Sequence, residues 1–172
     1  WIAELLLDEF GEEAEAFASA LESDAPRAIR VNTLKVADRG ELAMRFADIG
    51  ISTTFGRFAK HALVVTDTSS LFDTEAYRSG MFEQQDEGSQ LVALVTAPPP
   101  KGRVFDACAG AGGKSLAIAA MLKNQGRVLA TDVHKGRIDD LKQRAARAGA
   151  FNVECEQVPE DDWPQHIAAF AA

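Results

Sequence analysis

A short apolar segment that runs directly into a cluster of glycines constrains the fold of this chain more than any other feature. Residues 103–108 have the composition of a buried strand, and three glycines follow between positions 110 and 113. Glycine tolerates positive φ, so the cluster predicts a tight turn. Residues 114–123 then place apolar side chains at helical spacing. The order of strand and helix repeats over residues 127–155, which predicts a parallel sheet with right-handed crossovers.

The N-terminal part of the chain has a different pattern. Apolar residues recur at three- and four-residue steps over residues 1–24, which predicts helix that Gly11 breaks in two and Pro26 ends. Asp38 is expected to cap a helix that ends at Gly50. Further elements are predicted as strand 28–34, helix 39–49, strands 51–55 and 62–66, and a short strand 81–83.

We place a domain boundary in the loop near residues 78–80, because residues 67–85 are rich in loop-forming side chains. Residues 1–79 would form a small α+β domain. Residues 80–172 would form an incomplete Rossmann-like α/β domain, in which Asp86 caps a helix over residues 87–97. A further helix is predicted over residues 161–170.

The net charge of −8 is unevenly distributed. Residues 1–25 contain eight acids and no Lys or Arg, whereas residues 101–147 contain ten Lys or Arg and four acids. The basic middle of the chain is either a face for phosphate contacts or a set of solvated helix faces. Both interpretations stay open.

Composition excludes several classes of protein. No apolar run is long enough to span a membrane, and no signal peptide is visible. Cys108 and Cys155 are far apart, and no Cys/His cluster has the spacing of metal ligands. We therefore expect a cytoplasmic monomer that uses neither a membrane nor a metal.

The glycine turn is compatible with three classes of nucleotide ligand. A triphosphate loop would need a glycine where Cys108 stands, and Asp106 would repel phosphate oxygens. A dinucleotide turn fits Gly110-x-Gly112 but has Ser115 as its third small residue. S-adenosylmethionine has no phosphate and carries two positive centres, so it suits the acid at 106. Asp132 could bind a ribose diol in either of the last two cases, or merely cap a helix.

Three segments together resemble a known family, the bacterial ribosomal RNA methyltransferase B and Nop/Sun family of RNA cytosine-5 methyltransferases. They are Gln85-Asp-Glu-Gly-Ser-Gln-Leu-Val92, Val104-Phe-Asp-Ala-Cys-Ala-Gly-Ala-Gly-Gly-Lys114 and Ala130-Thr-Asp-Val-His-Lys-Gly-Arg137. Upstream, Trp1 and the segment 30–35 are similar to the RNA-contacting region of that family.

The resemblance implies a cofactor, a partner and a set of binding residues. S-adenosylmethionine would be the cofactor, and RNA, most of all ribosomal RNA, the partner. Asp132 would hold the ribose hydroxyls, Arg137 would lie at the edge of the cofactor, and Glu156 is the nearest acid to the adenine side. The methionine part would be wrapped by Cys108, Ala109, Gly110, Ala111, Gly112, Gly113 and Lys114.

The resemblance also implies catalytic groups that this sequence does not supply. The family uses a cysteine thiolate that adds to carbon 6 of cytosine, and a second cysteine for release. The chain has neither Asp-x-Pro-Cys nor a Thr-Cys pair, so no catalytic residue is assigned. Cys108 and Cys155 are expected to be small buried residues.

We therefore expect an inactive fragment of an RNA cytosine-5 methyltransferase. An uncovered edge of the strand 103–108 would be an aggregation hazard, which supports this view. The alternatives are a methyltransferase of another substrate class, and a non-catalytic RNA-binding module with a vestigial cofactor turn.

Overall fold

A computed structural model describes residues 1–22 and 24–159 of the 172-residue chain. The helices are α1 Ile2–Phe10, α2 Ala14–Leu21, α3 Arg39–Asp48, α4 Glu75–Arg78, α5 Glu87–Val95, α6 Gly113–Met121 and α7 Lys135–Ala148, and Gly11–Glu13 form a 3-10 turn. The strands are β1 Arg27–Val31, β2 Thr53–Phe55, β3 Ala62–Val65, β4 Phe82–Gln84, β5 Arg103–Asp106, β6 Arg127–Asp132 and β7 Val153–Gln157.

The first sheet is antiparallel and has the strand order β2-β3-β1-β4. Its core is formed by large buried side chains from the sheet and from α3, among them Ile29, Phe46 and Phe82. The Asp38 carboxylate accepts hydrogen bonds from the first turn of α3, as its position before the helix predicts.

The two N-terminal helices meet at Gly11, whose φ of 52° ends α1 at the predicted break. Ala14 is the one buried residue in these two helices. The two helices and the turn between them pack against one another, and most of their acidic and apolar side chains are exposed.

The second sheet is parallel and has the order β5-β6-β7 in the described residues. Helices α6 and α7 connect its strands, and Leu116, Val128 and Leu141 lie in the core between them. This confirms the predicted α/β class, with a Rossmann-like parallel sheet behind a small α+β unit. The helix expected over residues 161–170 lies outside the described residues. No helix in the part of the chain that the structure describes is long and apolar enough to cross a membrane.

The segment β4–α5 joins the two sheets. Strand β4 pairs with β1 in the first sheet, and α5 packs against both β1 and α6. The division between residues 79 and 80 stays a prediction. A strand that follows it in sequence belongs to the first sheet, so the two units are connected by more than a linker.

Candidate cofactor site

The glycine turn lies at the carboxyl end of the parallel sheet, between the end of β5 at Asp106 and the start of α6 at Gly113. The turn is held from inside, because Ala109 donates its N–H to the carbonyl of Thr131 and Gly112 donates to Ala109. The φ of Gly112 is 87°, and a Cβ there would lie 1.9 Å from Cδ1 of Leu141. Only glycine fits this position without moving the core.

Asp132 ends β6 beside this turn. Its Oδ2 accepts a hydrogen bond from the backbone N–H of Gly110 at 3.0 Å, and its Oδ1 accepts one from His134 at 2.9 Å. The residue is 5% exposed. A strand end and the neighbouring turn are therefore tied together by one carboxylate, at the edge where parallel sheets bind ligands.

The charge of Asp132 is stabilised by its surroundings. Burial is the largest single influence and opposes ionisation, but the N–H groups of His134 and Gly110 and the charge of Arg137 together lower the pKa of Asp132 below its ordinary value. Arg137 places Nη1 3.7 Å from Oδ2 of Asp132 and is itself 58% exposed. The side chain of Asp132 is therefore an anion at neutral pH.

The remaining predicted residues of the turn lie around the N-terminus of α6. Lys114 is exposed in the first helical turn, whose N–H groups have no partner within the helix. Asp106 accepts a hydrogen bond from the hydroxyl of Ser115 at 2.5 Å.

Cys108 is exposed, so the expectation that it is a small buried residue is wrong. It lies on the turn itself and not on the packed strand before it. Cys155 is half-buried on β7, and burial raises the pKa of its thiol.

The inner side of the turn is held by Arg144 of α7. Its Nη1 donates to the carbonyl of Ala111 at 2.7 Å, and its Nε donates to Oε2 of Glu83 at 2.9 Å. The other oxygen of Glu83 accepts from Nη2 of Arg147 at 2.6 Å. Glu83 is 1% exposed and lies on β4 of the first sheet. One guanidinium therefore joins the glycine turn to the first unit.

Sequence reasoning missed this arrangement. The spacing of Arg144 and Arg147 does place both on one face of α7, but an acid 61 residues upstream gives no local signal that it pairs with them. Arg147 also stacks over the ring of Tyr77 at 4.1 Å. These two arginines are mostly buried and are paired with Glu83, unlike either interpretation of the basic segment.

Gln85 supports the turn from the same side. Its Oε1 accepts a hydrogen bond from Nε of Arg30 at 2.7 Å, and its Nε2 lies 3.4 Å from the place of a Cβ on Gly113. Burial lowers the pKa of Arg30 to about 10, which keeps it charged at neutral pH. Arg30 is buried and thus inaccessible to phosphate, whereas Lys35 is exposed.

The structure brings together the turn from Cys108 to Lys114, Asp132 and Arg137. Glu156 lies one strand further away on β7, in register with Thr131, and is exposed. Its contact with an adenine stays a prediction.

A Rossmann-like sheet with this turn and this acid is the architecture of S-adenosylmethionine-dependent methyltransferases. Two family models match the chain in order. Residues 1–71 match the ferredoxin-like domain of RsmF/B-like methyltransferases, and residues 93–170 match the 16S rRNA methyltransferase RsmB/F model. The chain belongs to this RsmB/F family, whose members are S-adenosylmethionine-dependent.

Known relatives agree with that assignment. The chain is 34% identical, over 91% of its length, to a protein of Bacillus subtilis described as probable ribosomal RNA small subunit methyltransferase B. It is 31% identical, over 90% of its length, to a 28S rRNA (cytosine-C(5))-methyltransferase of Mus musculus. It spans 35% and 20% of the lengths of these two relatives.

A solved structure gives the same result for the fold. A methyltransferase homolog protein from Pyrococcus horikoshii superposes with a TM-score of 0.83 at 28% identity. The match covers 95% of this chain and 52% of that protein. The shared fold therefore includes both units described above.

Proposed function

We propose that this chain supplies the cofactor-binding part and an RNA-contacting unit of a ribosomal RNA cytosine-5 methyltransferase. The observation that carries the proposal is the position of Asp132, which is buried, anionic and bonded to the glycine turn. The proposed binding set is Cys108, Ala109, Gly110, Ala111, Gly112, Gly113, Lys114, Asp132 and Arg137.

The geometry of Asp132 fits a ribose. A carboxylate offers about four lone-pair sites, and the two backbone N–H groups occupy two of them. The other two sites remain to accept hydrogen bonds from a pair of ribose hydroxyls. Because the N–H groups hold both oxygens in place, the acceptor is oriented before a ligand arrives.

The glycine turn fits the methionine part of the cofactor. The α-carboxylate of that part would meet the N-terminus of α6 and the ammonium of Lys114. The sulfonium and the ammonium of the cofactor favour the acidic side chain of Asp106 nearby. When bound, S-adenosylmethionine supplies an electrophilic methyl group, and the residues of this chain bind and orient it.

The substrate proposal rests on the relatives. Their descriptions name ribosomal RNA, and the mouse relative is a cytosine-C(5) enzyme. We assign no catalytic side chain to these 172 residues, so the attacking thiolate would come from elsewhere in the whole protein. We further propose that the protein works as a monomer in the cytoplasm.

Calorimetry with S-adenosylhomocysteine and the full-length protein tests the cofactor site. Asp132→Ala should weaken binding by about 1–3 kcal/mol, because a hydrogen-bonded charged group is removed. Asp139→Ala is the matched control, since Asp139 is an acid on α7 that bonds Lys135. Its affinity should be unchanged.

A ligand without the ribose 2′-hydroxyl separates a direct contact from a loosened turn. The deoxy analogue should bind the wild type more weakly than S-adenosylhomocysteine does, and the difference should vanish in Asp132→Ala. An equal difference in both proteins would contradict the assignment of Asp132. Failure of a folded full-length protein to bind either ligand, or to methylate unmodified ribosomal RNA, would contradict the proposed function.

A further inference from the structure

The turn between β2 and β3 carries exposed aromatic and basic side chains outside the cofactor site. Phe55 is 56% exposed and Phe58 is 65% exposed. Arg57 and Lys60 are exposed on the same turn. We call these four residues and Arg39 of α3, five in all, the hairpin face.

Each ring of the hairpin face is already paired with a guanidinium. The Arg39 guanidinium lies 4.3 Å from the ring centroid of Phe55, and that of Arg57 lies 5.0 Å from the centroid of Phe58. A ring with one cationic neighbour and more than half of its surface in water presents a flat π-surface beside a positive charge. This is the combination that binds bases and phosphates of a single strand.

The backbone of the turn is fixed by two side chains. One carboxylate, that of Glu87 at the start of α5, accepts from the N–H groups of Arg57, Phe58 and Ala59 at 2.8–3.1 Å. From the other side, Nη1 of Arg39 donates to two carbonyls of the same turn, those of Gly56 and Ala59, at 3.3 and 3.4 Å. The loop is therefore ordered before a ligand binds, which lowers the entropy cost of binding.

The packing of Gly56 shows that Glu87 belongs in this place. A Cβ on Gly56 would lie 2.6 Å from Oε1 of Glu87 and 2.4 Å from Cβ of Ala62. Only glycine leaves room for the carboxylate under the turn. The conformation of the turn is therefore specified by its packing against Glu87 and Ala62.

The acids around the face have partners of their own. Glu87 is bound by backbone N–H groups, and Asp38 accepts from the N–H groups of Gly40 and Glu41 at the start of α3. Glu41 is paired with Arg45. The charge of Arg39 contributes to lowering the pKa of Glu87, so these two charges partly offset each other, and the positive charge of the face lies mainly on the exposed Arg57 and Lys60.

The positive charge around the face also affects the pKa of the neighbouring His61. Burial lowers the pKa of His61, and the charges of Lys60, Arg30 and Arg39 lower it further. A groove of about 560 Å³ lies between α3 and the turn, with Phe55, Lys60 and His61 among its lining residues. Its lining includes the ring of Phe55, the cations Arg39 and Lys60, and one acid, Asp38.

We propose that the hairpin face is a stacking platform for single-stranded RNA. The proposal rests on the proposed function and assigns to that function a surface for the substrate. Glu87 and Gln85 are two residues apart, and Gln85 lies against the glycine turn. An RNA strand on the face would consequently be held in a fixed position relative to the cofactor.

The test measures binding of a fluorescein-labelled, unstructured RNA of about 12 nucleotides, within the usual site size, to the full-length protein by fluorescence anisotropy. Phe55→Ala and Phe58→Ala should each weaken binding by roughly 5- to 100-fold, the scale of removing one base stack. Phe58→Trp should retain the wild-type affinity. The matched control is Phe151→Ala, because Phe151 is 84% exposed on the second unit.

The salt dependence separates stacking from charge. Arg57→Gln and Lys60→Gln should each reduce the slope of log affinity against log salt by about 0.7 for each phosphate that is no longer bound, whereas the stacking variants should leave the slope unchanged. Arg78→Gln is the control, because Arg78 is an exposed arginine on α4. It should bind with the wild-type slope.

Each outcome decides one question. Wild-type RNA binding that the two alanine variants leave intact would overturn the platform, as would an equal decrease in Phe151→Ala. Binding of S-adenosylhomocysteine serves as the second readout and should not change in any of these variants. A full-length protein that binds S-adenosylhomocysteine but no RNA would overturn the platform together with the RNA substrate, and leave the cofactor assignment standing.

Discussion

Two buried carboxylates are linked to the glycine turn, Asp132 directly and Glu83 through Arg144, and they are held in different ways. Among the described residues, the carboxylate of Glu83 accepts from one guanidinium on each oxygen, and Glu83 is 1% exposed. Asp132 accepts from backbone N–H groups and has its one cationic neighbour at the longer distance of 3.7 Å.

The difference separates a structural acid, Glu83, from the acid that we propose binds the cofactor, Asp132. The charge of Glu83 is matched by two arginines that are both largely buried, so little of it remains for a ligand. Asp132 is stabilised by dipoles, which orient its oxygens without neutralising them. Glu83 thus supports the turn through Arg144, and Asp132 is the acid that we propose for the cofactor.

Removing the structural acid should have the largest effect. Glu83→Ala leaves Arg144 and Arg147 without their counter-ion in a poorly solvated place, so the free energy of unfolding should fall by about 3–5 kcal/mol. Urea denaturation measures the change. Glu154→Ala breaks a solvent-exposed pair with Arg127 and should cost far less. Equal costs in the two variants would mean that the buried network adds no stability.

The turn itself gives the next largest effect. Gly112→Ala places a Cβ against Leu141 at positive φ and should lower the free energy of unfolding by about 2–4 kcal/mol and abolish tight cofactor binding. Gly110→Ala is the matched control, because its φ is also positive but no atom lies within 4 Å of the added Cβ. It should cost only about 1–2 kcal/mol. Similar decreases in the free energy of unfolding of the two variants would show that backbone strain, and not the contact with Leu141, causes the loss of stability.

The two arginines on Glu83 should differ in their effect on the cofactor. Arg144→Lys can retain the ion pair but cannot also reach the carbonyl of Ala111, so cofactor affinity should fall by about 1 kcal/mol, or roughly 5-fold. Arg147→Lys has no contact with the turn and should leave the affinity unchanged. Calorimetry with S-adenosylhomocysteine distinguishes them, and an equal decrease would mean that only the stability of the units matters.

A third carboxylate extends the comparison to the hairpin face. Glu87, like Asp132, is held by backbone N–H groups; the bond from Ala59 is the strongest of the influences that lower its pKa below 4.5. A depressed pKa in the folded state means that the stabilisation is present above pH 4.5 and is lost as the pH falls through the lower folded value. We expect an effect of at most about 1 kcal/mol, since Glu87 is partly exposed.

Urea denaturation as a function of pH measures this effect. The difference in free energy of unfolding between the wild type and Glu87→Gln should be largest near neutral pH. It should decrease as the pH falls below 4.5 and disappear below the lower pKa of the folded state. A difference that does not change with pH would mean that the shape of Glu87, and not its charge, supports the turn.

Local sequence signals predicted most of the fold. Asp38 and Asp86 cap their helices as expected, and Gly149 ends α7 with a φ of 69°. These signals act within a few residues, so they can be recognised in a single chain. The family resemblance likewise depended on short segments, two of which lie at the carboxyl end of the parallel sheet.

Long-range pairing could not be predicted in the same way. The bonds of Glu83 to α7 and of Glu87 to the turn between β2 and β3 join residues that are 28–64 positions apart. The sequence around each acid contains no feature that indicates its distant partner. The exposure of Cys108 was missed for a different reason. The strand before it ends at Asp106, so the turn begins earlier than the apolar pattern predicted.

The segment from Glu83 to Glu87 has a consequence for recombination between relatives. Within five positions the chain contacts α7, the glycine turn and the hairpin. A chimera that takes its N-terminal part from one relative and its C-terminal part from another would therefore separate the hairpin contacts if the crossover precedes this segment. It would separate the contacts with α7 and the glycine turn if the crossover follows it. Such hybrids should recover function when the partner residues on the other side of the crossover are exchanged along with the segment.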